Sequence, residues 1–152
     1  MVKVEKPIYK FNEKEFEEFC SVQKIAFPKA FVDYLRVYND AELEPNIVRF
    51  PGNECTLRYF YGITQEEYSD IRTVFDWYST RLPHHCIPIA DPDFGNQICI
   101  SLEEDTYGKI YFWDHETMDT EEGELCKLSF ADMKLLAGSF EELLDKIERS
   151  PY

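Results

Sequence analysis

The sequence predicts an α+β fold, a curved and largely antiparallel sheet with N-terminal, middle and C-terminal helices packed on it. Three observations lead there. Apolar residues recur at i, i+3 and i+4 spacing near the start, in the middle and at the end of the chain, the pattern of amphipathic helices. Between them lie short runs of β-branched and aromatic residues joined by turn-forming connectors, which is how paired strands read. No internal repeat, low-complexity tract or linker interrupts the 152 residues, so 1–152 is expected to be one domain. A globule of that size buries roughly 68–70% of its extended-chain surface and needs no staple.

In chain order, Asn12 with Glu15 three residues later is an N-cap signal, and Phe11 can staple against Phe16. A first helix is expected over about Glu13 to Val22, with Phe16, Phe19 and Cys20 inward. Pro28 opens a second, carrying Phe31, Tyr34, Leu35 and Tyr38 on one face until Asn39-Asp40 ends it. Ile47 to Phe50 and Thr56 to Tyr61, separated by Pro51-Gly52-Asn53, read as a first hairpin. Thr64 with Glu67 reads as a capping box for a third helix, whose Ile71, Val74, Phe75, Tyr78 and Leu82 share a face until Pro83.

The densest strand signals fall between Ile87 and Glu116. Ile87 and Ile89 form a short strand. From Gln97 to Leu102 residues alternate, with Ile98, Ile100 and Leu102 on one side and Gln97, Cys99 and Ser101 on the other, which predicts a half-buried strand. An acidic connector, Glu103 to Gly108, leads to Lys109 to Trp113, where Ile110 and Phe112 oppose Tyr111 and Trp113. Both faces of this strand are apolar, so the second face is covered by helices or left to a partner. Thr117 to Glu124 reads as a mobile acidic loop and Leu125 to Phe130 as an edge strand, with Phe130 to Leu136 open between strand and helix. Ser139 with Glu142 caps a final helix whose Phe140, Leu143, Leu144 and Ile147 face inward.

Composition bounds the function. Five cysteines without a C-x-x-C pair suggest neither a disulfide framework nor a zinc ribbon, and fit a reduced cytoplasm. The N-terminus lacks a signal-peptide core, and no stretch approaches the roughly 18 apolar residues of a membrane span. With 16 basic against 30 acidic side chains, the net charge of −14 argues against direct nucleic-acid binding and suits a basic partner. The acids concentrate from Glu103 to Glu124, where nine of them meet a single lysine, Lys109.

Several chemistries are weak on the residues themselves. Asp91-Pro-Asp-Phe-Gly-Asn96 reads as a tight polar turn; as an EF-hand it would place Leu102 where a bidentate Glu is required. His84, His85 and Cys86 crowd together, yet neighbours on a strand point to opposite faces, so all three do not converge easily on a metal. Asp114-His115-Glu116 is the best acid-base cluster, but no phosphate loop, nucleophile elbow or metal motif accompanies it. No catalytic residue, metal or cofactor is assigned.

DFGNQICISL, Asp93 to Leu102, followed by YGKIYFWDHE, Tyr107 to Glu116, resembles the signature of the SUKH superfamily. Within it the chain is most similar to the immunity proteins related to the yeast cell-wall-synthesis regulator (Smi/Knr-like). FPKAFVDYLRVYND, Phe27 to Asp40, and AGSFEELLDKI, Ala137 to Ile147, resemble the family's early and closing helical elements. The chain departs from the pattern at Phe27 for Leu, at Asn39-Asp40 for Asn-Gly, and at the less Gly-rich turn Asp91-Pro-Asp-Phe-Gly.

The resemblance implies a SUKH-like fold and a cytoplasmic immunity protein, an antitoxin that neutralises a polymorphic toxin domain by stoichiometric binding rather than catalysis. Acid excess makes a basic toxin, such as a nuclease, the favoured partner. The contact surface expected for it is acidic and aromatic: Glu103, Glu104, Asp105, Tyr107, Tyr111, Trp113, Asp114, Glu116, Asp119, Glu121 and Glu122. Burial of Trp113 beneath a helix is the competing reading. A monomer is the simplest expectation. The resemblance also extends to a regulatory or scaffolding module that binds a cellular protein involved in cell-wall synthesis.

Overall fold

The computed structural model describes residues 3–4, 9–44, 46–92, 96–114 and 129–148. Asn12 caps the first helix, α1 (Glu13–Gln23), by accepting the Glu15 N–H at 3.0 Å, and the Phe11 and Phe16 rings meet at 5.3 Å. Pro28 precedes α2 (Lys29–Tyr38), where its missing N–H costs nothing. A two-residue strand, β1 (Lys3–Val4), pairs antiparallel with β2 (Leu43–Glu44), and β3 (Ile47–Phe50) pairs with β4 (Asn53–Thr56).

This hairpin differs from the expected one. Pairing begins at Asn53, opposite Phe50, because Gly52 takes φ +79° and closes a tighter turn than Pro51-Gly52-Asn53 suggested. The following run then leaves β3 and joins a different strand: Arg58 donates to Asp91 O and Tyr61 to Ile89 O.

The third helix is also shorter than its apolar stripe. Thr64 does not cap it. Its hydroxyl accepts the Glu66 N–H at 3.1 Å and contacts the Ser69 hydroxyl at 2.9 Å, holding a turn that leads into a 3-10 segment at Glu67–Ser69. Asp70 is the cap instead, accepting the Arg72 N–H at 2.9 Å, and α3 runs only over Ile71–Tyr78.

The main sheet is antiparallel in the order β5 (Cys86–Ala90), β6 (Gln97–Ser101), β7 (Ile110–Trp113), β8 (Lys134–Ala137). One of its two edge strands is β8, preceded by a 3-10 turn at Phe130–Asp132, which resolves the open region before Leu136. The strand expected at 125–130 falls, apart from its last two residues, outside the described residues, as does the loop expected at 117–124. The chain closes with α4 (Phe140–Lys146), where Ser139 Oγ accepts the Glu142 N–H and the Glu142 carboxylate accepts the Gly138 N–H.

Strand alternation holds for the apolar residues of β6 and β7, whereas β5 and the β7–β8 pairing carry register shifts. Ile87, Ile89, Ile98, Ile100, Leu102, Ile110 and Phe112 pack into the large core with Phe31, Phe60 and Phe140, whose rings make edge contacts. Cys86, Cys99, Tyr111 and Trp113 project from the other face into a second cluster with Leu82 and Met133. Strand β6 is therefore buried on both faces, not half-buried as its alternation predicts. The end of α3 and the chain that leaves it supply the extra cover: Tyr78 stacks edge-on to Trp113 at 5.2 Å, and the Arg81 guanidinium lies 5.1 Å from the same ring.

Candidate functional site

The acidic connector between β6 and β7 is a built turn. Its 3-10 segment, Glu104–Thr106, is closed by Gly108 at φ +85°, whose N–H donates to Ser101 O at 2.8 Å. Inside the turn the Ser101 and Thr106 hydroxyls meet at 2.6 Å, and Ser101 Oγ also accepts the Glu103 N–H. These bonds tie the turn together from within, and the side chains of Glu104 and Asp105 are left in solvent. Tyr107 is 48% exposed, yet its hydroxyl donates to Ala26 O at 2.7 Å, pinning the ring against the α1–α2 connection.

The rest of the expected contact surface divides. Asp114 is half-buried at the far end of β7, at least three strand residues (roughly 10 Å) from the acidic turn. Acids continuous in sequence are thus split between the two ends of a strand. Glu116, Asp119, Glu121 and Glu122 lie outside the described residues, as does His115 of the acid-base cluster. Tyr111 and Trp113 are core: Trp113 is fully buried and Tyr111 nearly so. The reason is the second apolar cluster, which claims the whole outer face of β7 and removes both rings as direct anchors.

Beside the acidic turn stand His84 and His85, stacked at 3.7 Å, with His85 Nδ1 3.9 Å from the Glu103 carboxylate. They border a cleft of about 510 Å³ formed with Gln23, Ile25, Phe75 and Asp76. Cys86 turns away from them into the second cluster. Three of the described cysteines are held away from the reactive thiolate form: burial pushes the Cys20 thiol up to about 11 and the Cys55 thiol up to about 12, and Cys99, wholly buried beside Cys86, is held well above the ordinary thiol value.

With this arrangement of helices, central hairpin and closing helix in view, the comparison with known families is decisive. A model of the SMI1 / KNR4 family (SUKH-1) matches residues 10–146. The chain belongs to the SMI1/KNR4 (SUKH-1) family. That span holds nearly all of the motif segments, from Phe27 through the β6–β7 hairpin to the last helix. A curated relative, the SPbeta prophage-derived uncharacterized protein YokK of Bacillus subtilis (strain 168), is 31% identical over 120 residues, covering 79% of this chain and 55% of its own length. The chain thus spans about half of that relative.

Within the SUKH-1 chain, sequence reasoning missed a second aromatic and acidic surface. Trp77 is 50% exposed on α3 and Val22 is 75% exposed on α1, and the groove between these helices is walled by Glu15, Glu18, Asp76 and Arg72. One signal was available. Trp77 falls off the Ile71, Val74, Phe75, Tyr78 stripe, and a Trp on the polar face of a helix marks a surface aromatic.

Proposed function

We propose that this chain is a cytoplasmic immunity protein that neutralises a cognate basic toxin domain, with a nuclease the favoured class, by stoichiometric binding. The single observation that carries the reading is acid excess, −14 over 152 residues, in a chain of a toxin-binding family. Carboxylates of Glu103, Glu104 and Asp105 would occupy the surface on which the toxin holds phosphates, since charge-assisted hydrogen bonds to Arg and Lys are the strong ones. Tyr107 is the anchor best suited to that turn. Its hydroxyl is already fixed, so little side-chain freedom is lost when a partner covers the ring. Asp114, Glu116, Asp119, Glu121 and Glu122 extend the acidic field that steers the partner, while Tyr111 and Trp113 support the hairpin from beneath.

The test is capture of the tagged chain from its host beside a variant with Glu103, Glu104, Asp105 and Asp114 reversed to Lys. A basic toxin domain held one-to-one by the native chain, and lost by the folded variant, supports the reading. A wall-synthesis protein recovered instead would favour the regulatory role, and retention of the toxin by the variant would place the contact elsewhere.

A further inference from the structure

We infer that His84, His85 and Glu103 form a binding site for a late first-row divalent cation of the zinc class. The geometry begins with the backbone. His85 adopts φ +55°, a conformation that side-chain-bearing residues seldom hold without a compensating role. These two residues therefore lie in a turn rather than on a strand, and the positive φ brings the His85 ring back to the side of His84, stacked at 3.7 Å and 26° between planes. The rule that neighbours diverge applies to strands and does not apply here.

The third donor arrives across the sheet. Cys86 pairs with Ser101, and one step further out the Leu102 N–H donates to His85 O at 2.7 Å, so Glu103 is carried to the histidine turn by strand register. Its own N–H is tied to Ser101 Oγ at 3.2 Å. One ligand atom from each of the three residues lies within 4.8 Å of the others. Tetrahedral coordination with bonds of about 2.0–2.1 Å requires ligand separations of about 3.3 Å, within reach of side-chain rotation alone. Two imidazoles and a carboxylate suit Zn²⁺, Co²⁺, Ni²⁺ or Cu²⁺ rather than the oxygen-seeking Mg²⁺ or Ca²⁺. A three-residue set leaves a coordination position for water at the mouth of the 510 Å³ cleft.

Calorimetric titration of the whole chain with Zn²⁺ at about pH 7.5 tests the site, with His84→Asn, His85→Asn, Glu103→Gln and, as a control, His115→Asn. Asn tolerates the positive φ at position 85, and circular dichroism without metal checks that each variant is folded. One Zn²⁺ per chain is expected, weakened about ten-fold or more by each of the three site substitutions and unchanged by the control, with excess Mg²⁺ failing to compete. Zn²⁺ should also raise the thermal midpoint of the native chain more than that of Glu103→Gln at the same metal concentration. No binding up to about millimolar Zn²⁺, or binding indifferent to His85→Asn, overturns the assignment.

Discussion

Asn39 offers the sharpest quantitative test of the fold. It is buried at the end of α2 with φ +33°, and its amide is fully used: Oδ1 accepts the Ile63 N–H, while Nδ2 donates to Ile63 O and Tyr9 O, all at 2.9 Å. Asn39→Ala would orphan both backbone groups of buried Ile63, at about 1–3 kcal/mol each, so a loss of about 4 kcal/mol is expected. Opposite it stands Gly62, where an added Cβ would lie 2.0 Å from Asn39 Oδ1 and 2.8 Å from its Cγ. Because three hydrogen bonds hold that amide in place, Gly62→Ala should cost about 1–3 kcal/mol by overpacking. The two changes must then couple. Removing the Asn39 amide removes the clash, so the double variant should lose at least about 1 kcal/mol less than the two single losses added. Urea unfolding followed by circular dichroism, with an unchanged denaturant slope, measures this. A loss below about 1 kcal/mol for Asn39→Ala, or additivity within about 0.5 kcal/mol, would refute the lock.

Other outcomes follow from the same structure. Trp113→Ala should cost about 3–5 kcal/mol in urea unfolding because its ring is fully buried. Trp77→Ala, at a half-exposed site, should stay within about 1 kcal/mol of native; equal losses would contradict the burial assignments. In a Cys126→Ser background, half-buried Cys20 and buried Cys55, with values of about 11 and 12, should resist a thiol reagent at about pH 8 until the chain is unfolded, and fast native labelling would contradict those raised values. The Gly138 N–H, with Lys146, holds the Glu142 carboxyl below its usual 4.5. Stability from a depressed carboxyl is present above the unfolded value and lost as pH falls through the folded one. The stability gap between native and Glu142→Gln chains should thus be constant near neutrality and close below about pH 4; a gap that persists in acid would contradict it.

What was legible in the sequence was periodicity. Period two in Gln97 to Leu102 and Lys109 to Trp113 assigned the apolar side chains to their faces, and the i, i+3, i+4 stripes located the helices. The misses share a cause, competition that pattern alone does not decide. Thr64 reads as the cap, but Asp70 takes that place by accepting the Arg72 N–H and pairing with its guanidinium at 2.6 Å. Leu82 fits the α3 stripe, but the helix stops at Tyr78 and Leu82 packs on the opposite sheet face. The acidic run read as one patch because sequence hides that β7 separates its members. The histidine turn depends on a positive φ that no residue type there announces.

Binding of a toxin through carboxylates of the β6–β7 turn is the central claim, and neutralisation measures it most directly. Cells expressing the captured toxin domain would be challenged with the native chain or with the chain carrying Glu103, Glu104, Asp105 and Asp114 reversed to Lys. The account predicts survival with the native chain and death with the folded variant, whose association should also lose its dependence on ionic strength. Full protection by the variant would contradict it.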